Sequence, residues 1–347
     1  MKKFPNISHI NPNSLDGLNH LGKFLVDVQF LSGAIPSNQD GSHDPWDHLE
    51  ALMGLTTLGY KTHALKGLDW MVSNQNQDGS WYNLYQDEKP LELNKQTNYA
   101  AYISVVVWHF YLINNDVNFL QEFWEPVKNG ILFSLSLQHV NGAIAWNIDE
   151  FEKIDEDYLL TGCSSIAKSL ECAIAICQAL GNQNYESEWR IAHSKLISAL
   201  ENPSGIFDLK KDRSRFSMDW YYPILGGINS KKRINSLTTK IKDSFWIQDL
   251  GIKCVSDEPW VTVAETSECS IAYKKIGEDK IALELLHNAI AIVDGNGIPY
   301  MGWQFSENIY WPDETPAWTS AACILAADAN NRLTSGADLF LKQQFKS

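Results

Sequence analysis

Of six polar segments of the chain, five place carboxylates beside aromatic residues, and side chains of these types together can perform chemistry on sugars. The segments are residues 43–50, 86–99, 154–165, 217–223, 256–268 and 306–318. Flat aromatic rings stack on the faces of pyranose sugars, while carboxylates bind hydroxyl groups and transfer protons. The pattern therefore indicates a carbohydrate site lined with acids and aromatic rings.

Five acidic residues in these segments are the candidates for catalysis. Hydrolysis of a glycosidic bond needs one protonated acid and one ionised carboxylate. Glu265 follows two apolar residues, a setting that favours the protonated acid, and Glu314 between two tryptophans is the alternative acid. Asp47 is the expected base, with Asp44 as its alternative, and Asp219 from another segment could also serve.

Each of these acids also has a purely structural interpretation. Asp44 precedes Pro45, so its carboxylate could simply cap a helix, which stabilises a helix by about 0.3 to 1 kcal/mol. Glu265 and Glu268 are three residues apart and lie on one helix face, where they could be solvated acids near a helix start. The sequence leaves both interpretations open.

The aromatic residues of the same segments are the expected substrate-binding walls. A histidine beside the first pair of aspartates joins them as a possible hydrogen-bonding partner for sugar hydroxyls. The predicted binding residues are His43, Trp46, Trp220, Tyr221, Trp260, Trp303, Trp311 and Trp318.

Composition limits the class of ligand. The chain has 28 Lys and Arg against 42 Asp and Glu, a net charge of -14, which repels nucleic acid and suits a neutral or cationic ligand. No apolar run reaches about 18 residues, and none follows the lysines near the start, so we expect neither a membrane span nor a signal peptide. We expect a cytoplasmic protein acting on a small molecule or an oligosaccharide; oligomeric state is left open.

The six cysteines show no paired short spacing of the kind that zinc sites use, so buried free thiols are expected. Cys163 follows a loop and precedes a helix, where the helix dipole could lower its pKa and make it a nucleophile. Gly226 and Gly227 lack the context of a dinucleotide fingerprint. The sequence predicts no metal and no cofactor.

The elements that position these residues emerge from a glycine repeat. Gly33, Gly79, Gly142, Gly205, Gly251 and Gly297 open similar turns, at separations of 46, 63, 63, 46 and 46 residues. Each interval accommodates two helices and two connections. The segments before the glycines are amphipathic, as outer helices should be, and the segments after the polar loops are apolar nearly all round.

Six helical hairpins with an inner and an outer ring make an all-α (α/α)6 toroid, with strands confined to short pairs in the loops. An open helical solenoid is the alternative, but neither end of the chain shows an unusually polar capping unit. We expect one domain spanning residues 1–347, with the acidic and aromatic loops at one end of the ring.

Residues 75–81, reading QNQDGSW, resemble the glutamine and tryptophan repeat motif of terpenoid cyclases and protein prenyltransferase β subunits, and residues 138–146 are a looser copy. In those families glutamine and glycine connect one helix to the next. The plan of the whole chain also resembles the six-hairpin glycosidases, which carry their carboxylates in loops at one end. That second resemblance implies a glycoside hydrolase, and it implies inversion of configuration.

Two other functions use the same fold. One is a cyclase or transferase acting on an isoprenoid, although the chain lacks the four-residue acidic motif of such cyclases and the aspartate that precedes the zinc-binding cysteine of prenyltransferases. The other is a non-catalytic toroid that only binds glycans. The distance between the carboxylates would separate these functions, and sequence does not give it.

Overall fold

The structure is a computed structural model that describes residues 10–38 and 40–346. Helices dominate this part of the chain. In chain order they are α1 (Leu15–Val28), α2 (Pro45–Thr57), α3 (Lys61–Ser73), α4 (Thr97–Asn114), α5 (Val117–Glu122), α6 (Trp124–Ser136), α7 (Leu160–Leu180), α8 (Gln183–Glu201), α9 (Met218–Gly226), α10 (Lys231–Ser244), α11 (Val263–Lys275), α12 (Asp279–Ala289) and α13 (Ala317–Asn331).

Helices α2, α4, α7, α9, α11 and α13 form an inner ring. Each packs on the next, and α13 packs back on α2, so the ring is closed rather than an open solenoid. The other helices lie outside, each against the inner helix of its own hairpin, and α1 closes the outer ring against α13 and α2. The predicted (α/α)6 toroid is confirmed.

Side-chain patterning explains which helices lie inside. In α1 the buried leucines are Leu18, Leu21 and Leu25, at the spacing of one helix face. In α7 nearly every residue is buried. Helix α7 is therefore long and apolar enough to cross a membrane by length and composition, but 94% of its most apolar window is buried inside the fold, as for a core helix.

The amphipathic pattern of residues 119–138 predicts one continuous outer helix, but the structure divides this segment. Helix α5 ends at Glu122 and α6 begins at Trp124. Pro126 lies in the first turn of α6, where it has no N–H to give to the preceding turn and its ring would clash with a carbonyl there. The proline therefore starts a new helix, and the sequence prediction of one continuous helix is wrong.

Three glutamine side chains connect successive outer helices in the same way. Each Nε2 donates to the carbonyl of the glycine four residues later and to a carbonyl of the next outer helix. The pairs of acceptors are Gly33 and His63 for Gln29, Gly79 and Pro126 for Gln75, and Gly142 and Ala192 for Gln138, all at 2.8 to 3.0 Å. The predicted contacts of Gln75 and Gln138 are confirmed, and Gln29 is a third copy.

The glycines of these contacts have a steric requirement. Gly79 has φ +92°, and a Cβ there would lie 2.2 Å from the carbonyl oxygen of Asn129. A Cβ on Gly33 would lie 2.1 Å, and one on Gly142 2.3 Å, from a backbone carbonyl oxygen of the next outer helix. Any side chain would separate neighbouring hairpins, which is why the repeat is marked by glycine.

Short strands occupy the loops that precede the inner helices. They are β1 (Ser42–His43), β2 (Leu84–Gln86), β3 (Lys89–Glu92), β4 (Lys95–Gln96), β5 (Asn147–Ile148), β6 (Ile154–Asp155), β7 (Trp246–Ile247), β8 (Gly251–Ile252), β9 (Trp260–Thr262), β10 (Gly302–Gln304) and β11 (Ile309–Tyr310). They pair antiparallel as β1–β2–β3, β4–β5–β6, β7–β8 and β9–β10–β11. These small sheets surround the end of the ring at which the inner helices begin.

The chain after α13 contacts inner helices α4 and α7 beyond their first turns. Trp108 Nε1 of α4 donates to Gln344 Oε1 at 2.9 Å, and Lys168 Nζ of α7 donates to the carbonyl of Leu339 at 3.1 Å. Lys168 also pairs with the buried Glu171 at 2.7 Å. This segment therefore packs on the ring away from the first turns of the inner helices.

Candidate active site

A cavity of about 330 Å³ lies where the inner helices begin. Every inner helix contributes to its lining, mostly from its first turn or the residue before it, while Glu268 comes from the second turn of α11 and Trp146 from a loop. One such residue from each helix, in chain order, is Asp47, Tyr99, Thr161, Met218, Glu265 and Trp318. The prediction that the acidic and aromatic segments meet at one end of the ring is thus met for these residues.

Asp44 both caps a helix and lines the cavity. Its Oδ1 accepts from the backbone N–H of Asp47 at 2.8 Å, and Tyr99 donates its hydroxyl to Oδ2 at 3.2 Å. Burial raises the pKa of Asp44 to about 6 against these hydrogen bonds, which lower it. The two interpretations of Asp44 are therefore compatible.

Asp47 lies one turn into α2 and faces the cavity. Burial is the main cause that raises the pKa of Asp47 well above its ordinary value, and the negative charges of Asp44, Glu268 and Glu265 raise it further. A carboxyl group in this environment favours its protonated form. Asp47 therefore has the electrostatic setting of a proton donor.

Glu265 lies on α11, which α13 separates from α2 in the inner ring, and it also lines the cavity. It is only 7% exposed, and within the described residues its Oε2 has no hydrogen-bond partner. A buried carboxylate oxygen without a partner is costly in a folded protein unless a ligand or a water binds it. The free oxygen of Glu265 is thus available to a reactant in the cavity.

Two further buried carboxyl groups interact with this pair: Glu268, which also lines the cavity, and Glu50, which does not. Tyr221 donates its hydroxyl to Glu268 Oε2, and Tyr102 donates to Glu50 Oε1 at 3.3 Å. Burial raises the pKa of Glu268 to about 8 and that of Glu50 well above its ordinary value. Neighbouring carboxylates add to both effects, because buried like charges cannot all be ionised together.

The positive ends of helix dipoles offset part of this negative charge. Six inner helices direct their N-termini at the cavity, and backbone N–H groups at helix starts favour anions. Among the described residues that line the cavity, none is lysine or arginine. The site therefore combines acidic side chains with helix dipoles and lacks a fixed cation.

Trp46 and Trp318 are the predicted tryptophans that line this cavity. The ring of Trp46 stacks on Tyr102, with centroids 4.2 Å apart and planes within 7°. This stacking fixes the indole beside Asp47. An immobilised flat ring next to a proton donor is a suitable platform for a pyranose.

Asp219 lies behind the cavity wall. Thr161 lines the cavity and donates its hydroxyl to Asp219 Oδ1, while Asp219 itself borders a separate cavity of about 650 Å³ together with Trp220. Burial raises the pKa of Asp219 to about 6. Asp219 therefore contacts the main cavity only through Thr161. The predicted binding residue Tyr221 also lies outside the lining and donates its hydroxyl to Glu268.

Three further predicted residues also lie outside the lining of the main cavity. Glu314 is exposed, and its backbone carbonyl accepts from Met301 N at 2.9 Å. Trp303 is buried against Tyr310 in the β10–β11 hairpin. His43 is buried between aromatic rings, edge-on to Trp70 with centroids 5.0 Å apart. Local packing and backbone pairing, rather than the cavity, determine where these side chains point.

Trp260 and Trp311 line a groove of about 580 Å³ beside the main cavity. Their rings meet edge to face with centroids 5.0 Å apart. The first turn of α4 also contributes cavity residues that the sequence analysis missed, Asn98 and Tyr99. Their place at the start of a predicted inner helix could have indicated them, because most cavity residues lie in or next to such first turns.

The six cysteines are free, as predicted, and all but Cys254 are buried. The expectation that a helix dipole lowers the pKa of Cys163 is wrong. Burial raises the pKa of this thiol to about 12, and its Sγ contacts the backbone of Ile144 rather than the cavity. Over the described ranges no group of three or more His, Cys, Asp or Glu is arranged to hold a metal ion.

Comparisons with known proteins agree with this geometry. No established family profile matches the chain. The MMP endo-(1,4)-3-O-methyl-alpha-D-mannosidase of Mycolicibacterium hassiacum is 37% identical over 317 residues, which cover 91% of this chain and 86% of that enzyme. Sequence similarity of this extent shows common family membership.

Solved structures share the fold. The mannosylglycerate hydrolase of Thermus thermophilus, described as GH63 and in complex with glucose, has a TM-score of 0.69 at 10% identity and covers 89% of this chain and 99% of its own. A bacterial glucoamylase complexed with acarbose has a TM-score of 0.73 at 12% identity and covers 95% of this chain and 58% of its own.

Of the three functions that the sequence left open, the similarity to a mannosidase supports glycoside hydrolysis rather than isoprenoid chemistry or glycan binding alone. The aromatic and acidic cavity is consistent with glycoside hydrolysis. An oligosaccharide or small sugar is the corresponding class of substrate. The chain is therefore a glycoside hydrolase and belongs to the family of the M. hassiacum MMP endo-(1,4)-3-O-methyl-alpha-D-mannosidase.

Proposed function

We propose that this enzyme cleaves internal α-(1,4) linkages in chains of 3-O-methylmannose. The observation that carries the proposal is the 37% identity to an enzyme of that name, which extends over 91% of the chain. A net charge of -14 suits an uncharged sugar chain and disfavours nucleic acid as a partner. The cavity offers aromatic walls and carboxylates, as hydrolysis of such a chain requires.

The proposed catalytic pair is Asp47 and Glu265. They lie on different inner helices, α2 and α11, and both line the cavity, so a glycosidic bond between them meets one carboxyl group on each side. Asp44 is held as a helix cap, and Glu268 is held by Tyr221. Asp47 and Glu265 are thus the acids best placed to exchange protons with substrate and water.

We assign the acid role to Asp47 and the base role to Glu265, which reverses the roles expected from sequence. The raised pKa of Asp47 favours a protonated carboxyl group that can donate to the glycosidic oxygen as the bond from that oxygen to the anomeric carbon breaks. Glu265, with an unpartnered oxygen, takes a proton from a water that attacks the anomeric carbon from the opposite face. The water oxygen ends on that carbon, so the product has inverted configuration.

Glu268 lines the cavity and Glu50 does not, and we assign both to tuning this pair rather than to proton transfer, because each accepts a tyrosine hydroxyl. Burial raises the pKa of Glu268 to about 8 and that of Glu50 well above its ordinary value, so both carboxyl groups favour their protonated forms. Their neutral forms add no further negative charge beside Asp47 and Glu265. The tyrosines that donate to them fix the geometry of both side chains.

The test uses an α-(1,4) oligosaccharide of 3-O-methylmannose, with product lengths followed by mass spectrometry. Internal cleavage should release fragments of several lengths from the start of the reaction. Asp47→Asn and Glu265→Gln should each lower kcat by roughly 10² to 10⁴-fold with unchanged circular dichroism. Glu314→Gln, at an exposed position outside the cavity, is the matched control and should keep full activity.

Stereochemistry tests the roles separately. Proton NMR of the fresh product should show the β anomer first, because a single displacement by water inverts an α linkage. A product that keeps the α configuration would overturn the single displacement. Near-normal turnover by both Asp47→Asn and Glu265→Gln would overturn the catalytic pair.

A further inference from the structure

An aromatic groove adjoins the cavity on the side of Glu265. It is defined by Phe216, Cys254, Trp260, Ile309 and Trp311, and has a volume of about 580 Å³. Its volume exceeds that of the catalytic cavity, about 330 Å³. A groove of this size accommodates sugar units beyond the one at which a bond is cleaved.

Two chain segments run from the groove directly into the cavity. Phe216 lines the groove and Met218, two residues later, lines the cavity. Trp260 lines the groove at the start of β9, and β9 leads without a break into α11, which carries Glu265. The groove therefore lies next to the catalytic cavity, although the two have no lining residue in common.

The groove wall is apolar and partly exposed. Phe216 is 38% exposed, Ile309 is 47% exposed and Trp311 is 50% exposed. Isolated apolar side chains on a surface are ordinary, but three that face one groove indicate a binding surface. Trp260 Nε1 donates to the backbone carbonyl of Trp311 at 2.6 Å, which fixes the two indoles relative to each other.

The charges at the groove do not favour an anionic ligand. Arg215, the cation among the described lining residues, pairs with Asp257 at 2.9 Å. Glu258 and Glu307 lie at the edge and would repel a phosphate or carboxylate. An uncharged ligand with apolar groups fits both the wall and the charge.

We propose that this groove is a subsite for the sugar units flanking the cleaved bond, and that its apolar wall binds their ether methyl groups. The proposal rests on the proposed function for the nature of the sugar chain. A methyl ether replaces a hydroxyl that would otherwise need a hydrogen-bond partner, so it is favoured against Trp311 and Ile309 and a free hydroxyl is not. Each methyl group buried there should tighten binding roughly fourfold.

The experiment measures binding rather than turnover, so that it does not depend on hydrolysis. Isothermal titration calorimetry on an Asp47→Asn background compares a long α-(1,4) 3-O-methylmannose oligosaccharide, its unmethylated counterpart and a methylated disaccharide. The methylated long chain should bind about tenfold or more tightly than the unmethylated one, as two buried methyl groups imply.

Adding Trp311→Ala should abolish most of this preference and reduce the advantage of the long chain over the disaccharide by about tenfold. Trp311→Phe should restore part of both, since a ring still covers the methyl groups. Leu31→Ala is the control, because Leu31 is 97% exposed and lies outside the groove lining.

Equal weakening of methylated and unmethylated chains by Trp311→Ala would overturn the methyl-binding role of the groove, and unchanged affinities would overturn the subsite. These outcomes are separable from failure of the proposed function. If the wild type does not cleave this chain but binds it with a methyl preference that depends on Trp311, the groove proposal stands and the proposed function fails.

Discussion

Replacing Glu268 by glutamine should make the protein less sensitive to alkaline pH. Glu268 is buried, and burial raises its pKa from 4.5 to about 8, with the neighbouring Glu265 charge adding to the shift. Glutamine keeps an oxygen that can accept the hydroxyl of Tyr221 but has no proton to lose. The substitution therefore removes titration with little change in shape.

The direction of the pH effect on stability depends on which state, folded or unfolded, binds the Glu268 proton more tightly. The folded protein keeps the Glu268 proton up to about pH 8, whereas the unfolded chain releases it near 4.5. The contribution of this group to stability is therefore complete below the unfolded value and is lost as pH rises toward the folded value. One pKa unit corresponds to about 1.4 kcal/mol, so the loss between about pH 5 and pH 8 has an upper limit of about 4 kcal/mol.

The assay is urea denaturation of the wild type and Glu268→Gln, followed by circular dichroism at about pH 5, 6.5 and 8. The free energy of unfolding of the variant, relative to the wild type, should rise steadily with pH. Glu188→Gln, at an exposed position on α8, is the control and should track the wild type at each pH. A difference between Glu268→Gln and wild type that is the same at all three pH values would refute the buried-proton argument.

Three further predictions test other parts of the molecule. Gly79→Ala should cost more than about 3 kcal/mol in urea denaturation, because its Cβ would lie 2.2 Å from a carbonyl oxygen, whereas Gly181→Ala, also at positive φ but with nothing within 4 Å, should cost about 1 to 2; equal costs would contradict the steric argument. Cys163→Ala should keep near-normal kcat, and the native thiol should resist alkylating reagents at neutral pH, because burial raises its pKa to about 12. Asp219→Asn should lower kcat less than about tenfold, since Asp219 contacts the cavity only through a threonine; a loss as large as that of Asp47→Asn would place it in the reaction itself.

Much of the fold follows from features that are local in sequence. The six repeated glycines all have positive φ, which reports a backbone requirement that a side chain would violate. The contrast between amphipathic and apolar helices identified the inner ring, since only a helix buried on several sides is apolar all round. The Gln29 contact escaped notice because its segment lacks the tryptophan of the copy that ends at Trp81.

The site was predicted less completely because side-chain direction depends on the whole ring. Asp47 and Glu265 lie in first turns of inner helices, and their cavity positions follow from that placement. Glu314 also lies beside tryptophans, but it precedes its helix in a loop, and its backbone rather than its carboxylate is engaged. The roles of Glu268 and Glu50 needed tertiary structure, because only the packing of adjacent inner helices, α9 on α11 and α4 on α2, brings their tyrosine donors to them.

The contact between α13 and α2 limits how proteins with this architecture can vary. An open array of hairpins gains or loses a repeat at an end with one interface changed. Here the insertion of a seventh hairpin would break an existing interface, enlarge the ring and separate carboxylates that act together across it. Change is therefore confined to the connections at the open end, where residues can be inserted without altering the diameter of the ring, and new substrate preferences would arise there from loop length and loop side chains.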